Sequence, residues 1–179
     1  NTTITGSYAL GDVDGGVGRY VGGLVGYMRT TVDRFVDNFA VNTVRGGQDV
    51  GGVVGRFQRN ANNAMRRTYH VGDVIRSTGG PGADNTIGPV VGILVSGIAG
   101  VENGTNFYNS DFAVIDEATA LPIGVPNTTN QTPLSSAQMQ IPGNFTSYDF
   151  GTPIWEMPPA GYALPNGVGY AYPILDWMN

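Results

Sequence analysis

The chain reads as a mainly β protein: a β-solenoid, parallel β-helix-like, of about three to four coils, closed by an irregular aromatic- and Pro-rich C-terminal cap. Three observations predict this. An apolar, glycine-studded phrase, VGGLVGY at 21–27, returns as VGGVVGR at 50–56 and, loosened, as IGPVVGI at 87–93. A second phrase alternates with it, as SYALGDV at 7–13, NFAVNTV at 38–44, TYHVGDV at 68–74 and a weaker DFAVIDE at 111–117. Both recur with a period near 30 residues, as repeat architectures do.

Each phrase is short, β-branched and bounded by Gly, Asp, Asn or Thr, which reads as a strand. In the first, Val21, Val50 and Ile87 align, as do Leu24, Val53 and Val90, then Val25, Val54 and Val91, then Gly26, Gly55 and Gly92. The spacings are 29 and 37, and the surplus falls near STGGPGADNT (77–86), a loop by composition. In the second, Tyr8, Phe39, Tyr69 and Phe112 align, followed by Leu10, Val41, Val71 and Val114. Its spacings are 31, 30 and 43, the last crossing a further loop at GIAGVENGTN (97–106). A two-strand unit cannot bury both faces alone, but stacked units bury like on like. Gly22, Gly23 and Gly26 leave space where a narrow coil turns its corner. A β-sandwich would also supply short strands, but not shared glycine positions.

Composition agrees. Hydrophobic residues make up 41% of the 179, enough for a core, while charged residues are only 13%, about half the usual share. The 28 glycines and 11 prolines make the chain turn-rich without the apolar poverty of disorder. There is no cysteine, so disulfide, zinc-thiolate and cysteine-nucleophile chemistry is excluded. No apolar run is long enough to span a bilayer, and membrane insertion is not expected. Residue 1 is Asn rather than Met, so a processed chain or a fragment is expected.

All nine basic residues are arginines, lying between Arg19 and Arg76. Through residue 76 they face six aspartates, leaving +3, whereas the rest of the chain carries eight acids and no base, or −8. The arginines are too scattered for a nucleic-acid face, and no nucleic-acid partner is expected. Such polarity suits solvated surface or head-to-tail contact between subunits.

At this point the residues carry a family likeness. VGGLVGYMRTTVDRFVDNFAVNTV (21–44) resembles the GLUG repeat of bacterial surface proteins, with two good copies and flanking parts within 4–94. SSAQMQIPGNFTSYDFGTPIWEM (135–157) and GYAYPILDW (169–177) are similar to the segment that often closes GLUG regions. Two departures stand out: Pro89 where Gly is usual, and His70 where the other copies carry Ala9, Ala40 and Ala113. The resemblance implies a secreted or cell-surface module, often part of an adhesin, and no shared catalytic residue.

Repeats are expected over 1–117, and a surface crossing with a cap over 118–179 of the same structural domain. Phe145, Tyr148, Phe150, Trp155, Tyr162, Tyr170, Tyr172 and Trp177, among prolines, suit a cap packed over the last coil. The N-terminal edge has no comparable cover, so head-to-tail growth into a filament is the alternative role.

Catalysis is not expected. His70 is the sole histidine and sits at a wall position, and there is no Gly-x-Ser-x-Gly elbow. Asp12 and Asp14 precede glycines as calcium ligands can, but the remaining ligands of an EF-hand loop are missing, and turn formation is the better reading. No metal or other cofactor is expected. A glycan-active enzyme on a β-helix would need clustered acids, for which Asp111, Asp116 and Glu117 are the nearest set. Sequons at Asn1, Asn103, Asn127, Asn130 and Asn144 are candidate glycosylation sites. The expected partners are another protein, through self-association or a host or cell-surface ligand, and carbohydrate, for which Tyr162, Tyr170 and Tyr172 are the candidate platforms.

Overall fold

Both phrases become strands, and successive copies pair side by side. The computed structural model describes residues 2–29, 32–58, 64–81, 86–95, 104–122, 128–151, 154–167 and 169–178. The chain passes through β1 (Thr2–Thr5), β2 (Tyr8–Ala9), β3 (Val13–Asp14), β4 (Arg19–Gly22) and β5 (Val25–Met28). It then repeats the path as β6 (Val32–Val41), β7 (Val44–Gly46), β8 (Gln48–Gly51) and β9 (Val54–Gln58). It follows it again as β10 (Ala64–Val71), β11 (Val74–Arg76), β12 (Ile87–Gly88) and β13 (Val91–Val95). The stretch that follows holds β14 (Asn106–Asn109), β15 (Val114–Asp116), β16 (Leu121–Pro122) and β17 (Thr132–Leu134).

Four walls result. The first orders β1-β6-β10-β14-β17 with β2 also on β6, the second β16-β15-β11-β7-β3, the third β12-β8-β4 and the fourth β13-β9-β5. All these pairs are parallel except β15 with β16. This is a mainly β, β-helix-like arrangement of parallel strands in stacked sheets. The register follows the sequence alignment: Val21, Val50 and Ile87 pair in file, as do Val25, Val54 and Val91.

Two clusters fill the interior. Val21, Val44, Val50, Val74 and Ile87 form one, and Met28, Phe35, Ala40, Val53, Val54, Phe57, Met65, Val90 and Val91 the other. Between them the chain turns a corner too tight for any side chain. A Cβ on Gly51 would strike the Val54 carbonyl oxygen and the Gly92 amide nitrogen.

The aromatic file faces out of the coil, not in. Tyr8, Phe39, Tyr69 and Phe107 occupy paired positions, and Phe39 stacks on Tyr69 at 5.0 Å with the rings 3° from parallel. Phe35 faces the interior although it lies four residues from Phe39, a spacing that simple alternation would put on one face. The phase is reset by a left-handed residue between them, Asp37 (φ 59°), matched by Gly6 (φ 58°) before it and Arg67 (φ 49°) after it. The asparagine after the kink satisfies backbone that the kink strands: Asn38 Nδ2 donates to the Ile4 carbonyl, and Asn106 Nδ2 to that of Met65.

Three expectations are corrected. Phe112 does not join the aromatic file; Phe107 does, and Phe112 is 42% exposed. Val114 pairs with Val74, not Val71, and Tyr108, not Ala113, succeeds His70. The corner between β14 and β15 holds two residues more than its predecessor, so the 43-residue alignment slipped. Finally, the cap lies along the flank of the first wall rather than only over its end. β18 (Trp155–Glu156) and β19 (Ile174–Leu175) pair antiparallel within it. Trp177 packs on Tyr8, Trp155 on Phe39 and Tyr69, and Phe145 and Tyr148 on Phe107.

Gly51→Ala should cost about 3 kcal/mol or prevent folding, since backbone on both sides must move. Gly11→Ala, with nothing within 4 Å of the added carbon, should stay within about 0.5 kcal/mol of the parent. Urea unfolding of the two variants checks the pair.

Candidate functional site

The residues singled out from sequence resolve mostly into structure. His70 is buried between successive passes, with Nε2 3.0 Å from the Asn42 carbonyl oxygen. Its ring lies where Gly52 lacks a Cβ. Burial holds its pKa down to about 4, partly opposed by the backbone carbonyls of Asn42 and Pro89. The two departures from the repeat, His70 and Pro89, thus meet at one point.

The corner aspartates act between passes. Asp12 accepts from the Thr43 amide at 2.7 Å, and Asp73 from that of Ala113 at 2.8 Å. Asp14 accepts from its own turn at Gly16 and from Arg45, which together hold its pKa below the usual range. Among the described residues no group of three or more His, Asp or Glu is placed to hold a metal ion.

The three acids weighed for glycan chemistry are each engaged separately. Asp111 accepts from the Ser136 amide, Asp116 pairs with Arg76, and Glu117 takes a bidentate bond from Arg45 at 2.7–2.8 Å. The Arg45 guanidinium brings the Glu117 pKa down to about 2. Arg45 also reaches Asp14, so one guanidinium ties β3, β7 and the end of β15 together.

The tyrosines belong to the flanking cluster. Tyr170 is buried with its hydroxyl 2.5 Å from that of Tyr69, Tyr162 donates to the Met178 carbonyl, and Tyr172 meets Asn109. Of the sequons, Asn1, Asn103 and Asn127 lie outside the described residues. Asn130 sits in a left-handed turn, and half-buried Asn144 donates its amide to the Gln138 carbonyl at 2.9 Å.

What sequence reasoning missed is a groove of about 360 Å³ along the outer corner of the first and second walls. Its floor is the file Leu10, Val41 and Val71, two positions beyond the aromatic file. Asp12, Asn42, Thr43 and Gly72 also line it, together with the exposed Phe112 and Asn166. Gly72 (φ 142°) is obligatory, since a Cβ there would strike the Asn42 carbonyl. Phe112 stacks on no other ring among the described residues. The turn that closes from the Phe112 amide to the Asn109 carbonyl carries it out of the wall. The signal was present in the sequence: Asn109-Ser110-Asp111 is a turn signature at the start of the supposed repeat copy.

Comparison with family models, curated proteins and solved structures found no match to this chain. Among the described residues no helix is long and apolar enough to cross a membrane.

His70 makes stability pH-dependent. The unfolded chain protonates this imidazole near the ordinary histidine value of 6.5, whereas the fold resists until about 4. Stability is therefore full above the unfolded value and falls as the pH drops from there toward the folded one. The loss should approach about 3 kcal/mol. His70→Gln should flatten the urea midpoint across that window. Glu117 contributes lower down, its stabilisation disappearing as pH falls from 4.5 through about 2.

Proposed function

We propose that this chain is a β-solenoid module of about three to four coils, of the GLUG-repeat kind, from a secreted or cell-surface protein. Its role is structural and adhesive, displaying surface loops on a rigid scaffold for a protein or carbohydrate partner. The observation that carries this reading is the pairing of like residues across successive passes, with side chains of both walls bonded between passes. Arg45 bridges Asp14 and Glu117, Arg67 grips Asp37, and Asp12 and Asp73 hold the next pass. Such a body holds its loops at fixed spacing. Of those loops, 82–85, 96–103 and 123–127 lie outside the described residues. No catalytic role is proposed.

Beads coated with the chain should attach to a cell or extracellular-matrix surface above albumin-coated beads. Replacing 78–85, 97–103 and 123–127 with short Gly-Ser turns should reduce attachment without moving the urea midpoint. Attachment to no surface tested would overturn the adhesive role.

The filament reading has its own support. Strands β1 to β5 pair on one side only among the described residues, and Trp177 stands 60% exposed beside Tyr8 at that edge. Head-to-tail growth would raise the light-scattering mass with concentration and give linear particles by electron microscopy. A constant monomer mass would exclude it.

A further inference from the structure

We propose that the groove between the Leu10–Val41–Val71 file and Phe112 binds a short, uncharged saccharide; this rests on the adhesive reading and names its ligand class. The groove combines features that one sugar ring uses together. The floor is apolar and continuous, because parallel register places Leu10, Val41 and Val71 in file. Strands stack about 4.8 Å apart, so three rungs span about 10 Å, room for one or two linked rings. Phe112 offers an exposed ring at the rim, a face against which the C–H side of a sugar packs.

The polar groups sit where hydroxyls would lie. Asp12 is exposed, and its Oδ1 is held by the Thr43 amide at 2.7 Å. That bond fixes one carboxylate oxygen of an exposed side chain that lines the groove. Thr43 and Asn166 add further polar side chains to the lining. An apolar floor with a few oriented polar groups is the usual build of a small-molecule site.

The charge balance selects among sugars. Asp12 is the only ionisable group among the lining residues, so the groove repels sialic or uronic acids and accepts neutral rings. The construction itself departs from the repeat. The two-residue excess between β14 and β15 takes Phe112 away from the core position its repeat phrase suggests. Phe112, 42% exposed and stacked on no other ring among the described residues, is left lining an apolar groove.

The test is nitrogen–proton correlation NMR on the whole chain, titrated with cellobiose, maltose, chitobiose and N-acetyllactosamine, with 3′-sialyllactose as the charged comparison. At least one neutral sugar should shift the amides of residues 10–12, 41–43, 71–72 and 112 at about 10 mM or below. Phe112→Ala should weaken that binding about tenfold or more, and Thr43→Val and Asp12→Asn severalfold, with the urea midpoint unchanged. Asn at 12 keeps the oxygen that the Thr43 amide needs, so the fold is preserved. No shift at these amides with any of the neutral sugars, or binding indifferent to Phe112→Ala, overturns the proposal. Stronger binding of 3′-sialyllactose than of the neutral sugars overturns it too. Bead attachment without saccharide binding would defeat this proposal and leave the adhesive role standing. Saccharide binding without bead attachment would do the reverse.

Discussion

In-register parallel pairing is the constraint on which the structure depends. When a strand lies beside its own later copy, every side chain meets its counterpart, and the chain can solve one packing problem and reuse the answer. Valine over valine fills the interior, and Tyr8, Phe39, Tyr69 and Phe107 form a ring file on the outside. Each stacked pair adds about 0.5–1.5 kcal/mol beyond its burial. The same logic makes the glycine corner unforgiving. Gly51 and its counterparts sit where neighbouring backbones nearly touch, and a side chain there would push several passes apart at once.

An outward aromatic file would be a liability without cover, and the means of covering it is built into the same strands. The left-handed residues at 6, 37 and 67 turn the file out of the coil. Asp37 and Arg67 adopt that conformation without being glycine, at a cost of about 1–3 kcal/mol each. Their side chains offset it. Arg67 bonds Asp37 through two nitrogens at 2.5 and 2.7 Å, and the Trp155 indole donates to the same carboxylate at 2.9 Å. The kink that exposes the aromatic wall thus also holds the acid that anchors the segment covering it.

Much of this was legible in the sequence, and the failures share a cause. Phrases of equal length, such as 21–27 and 50–56, gave the pairing residue by residue because period and spacing agree. The inward or outward sense of Tyr8 and Phe39 was not legible, since a single left-handed residue inverts alternation and Asp37 carries no mark of it. DFAVIDE looked like a repeat copy because it has an aromatic and a valine at the right separation. Pairing energy chose differently: Asn106-Phe107-Tyr108 matches Thr68-Tyr69-His70 on both faces, and the two surplus residues went to the corner. The groove was invisible for the same reason, its rim being made by that surplus.

How a stack of this kind stops growing shows in Gln131. Between earlier passes of the fourth wall a backbone carbonyl takes two amides from its neighbour: Val53 from Leu24 and Val25, then Val90 from Val53 and Val54. After β13 no further strand follows in that wall among the described residues, and Gln131 Oε1 takes the amides of Val90 and Val91 at 2.8 and 3.3 Å. A side-chain amide has the same acceptor as the peptide it replaces, so these two amides are satisfied without another strand. Among the described residues the first-wall file continues as far as β17 while the fourth runs to β13 and Gln131, so the two reach different heights. Regularity serves the body of this protein, and its departures from regularity supply the pieces that a repeat cannot: the anchor at Asp37, the stop at Gln131 and the lip at Phe112.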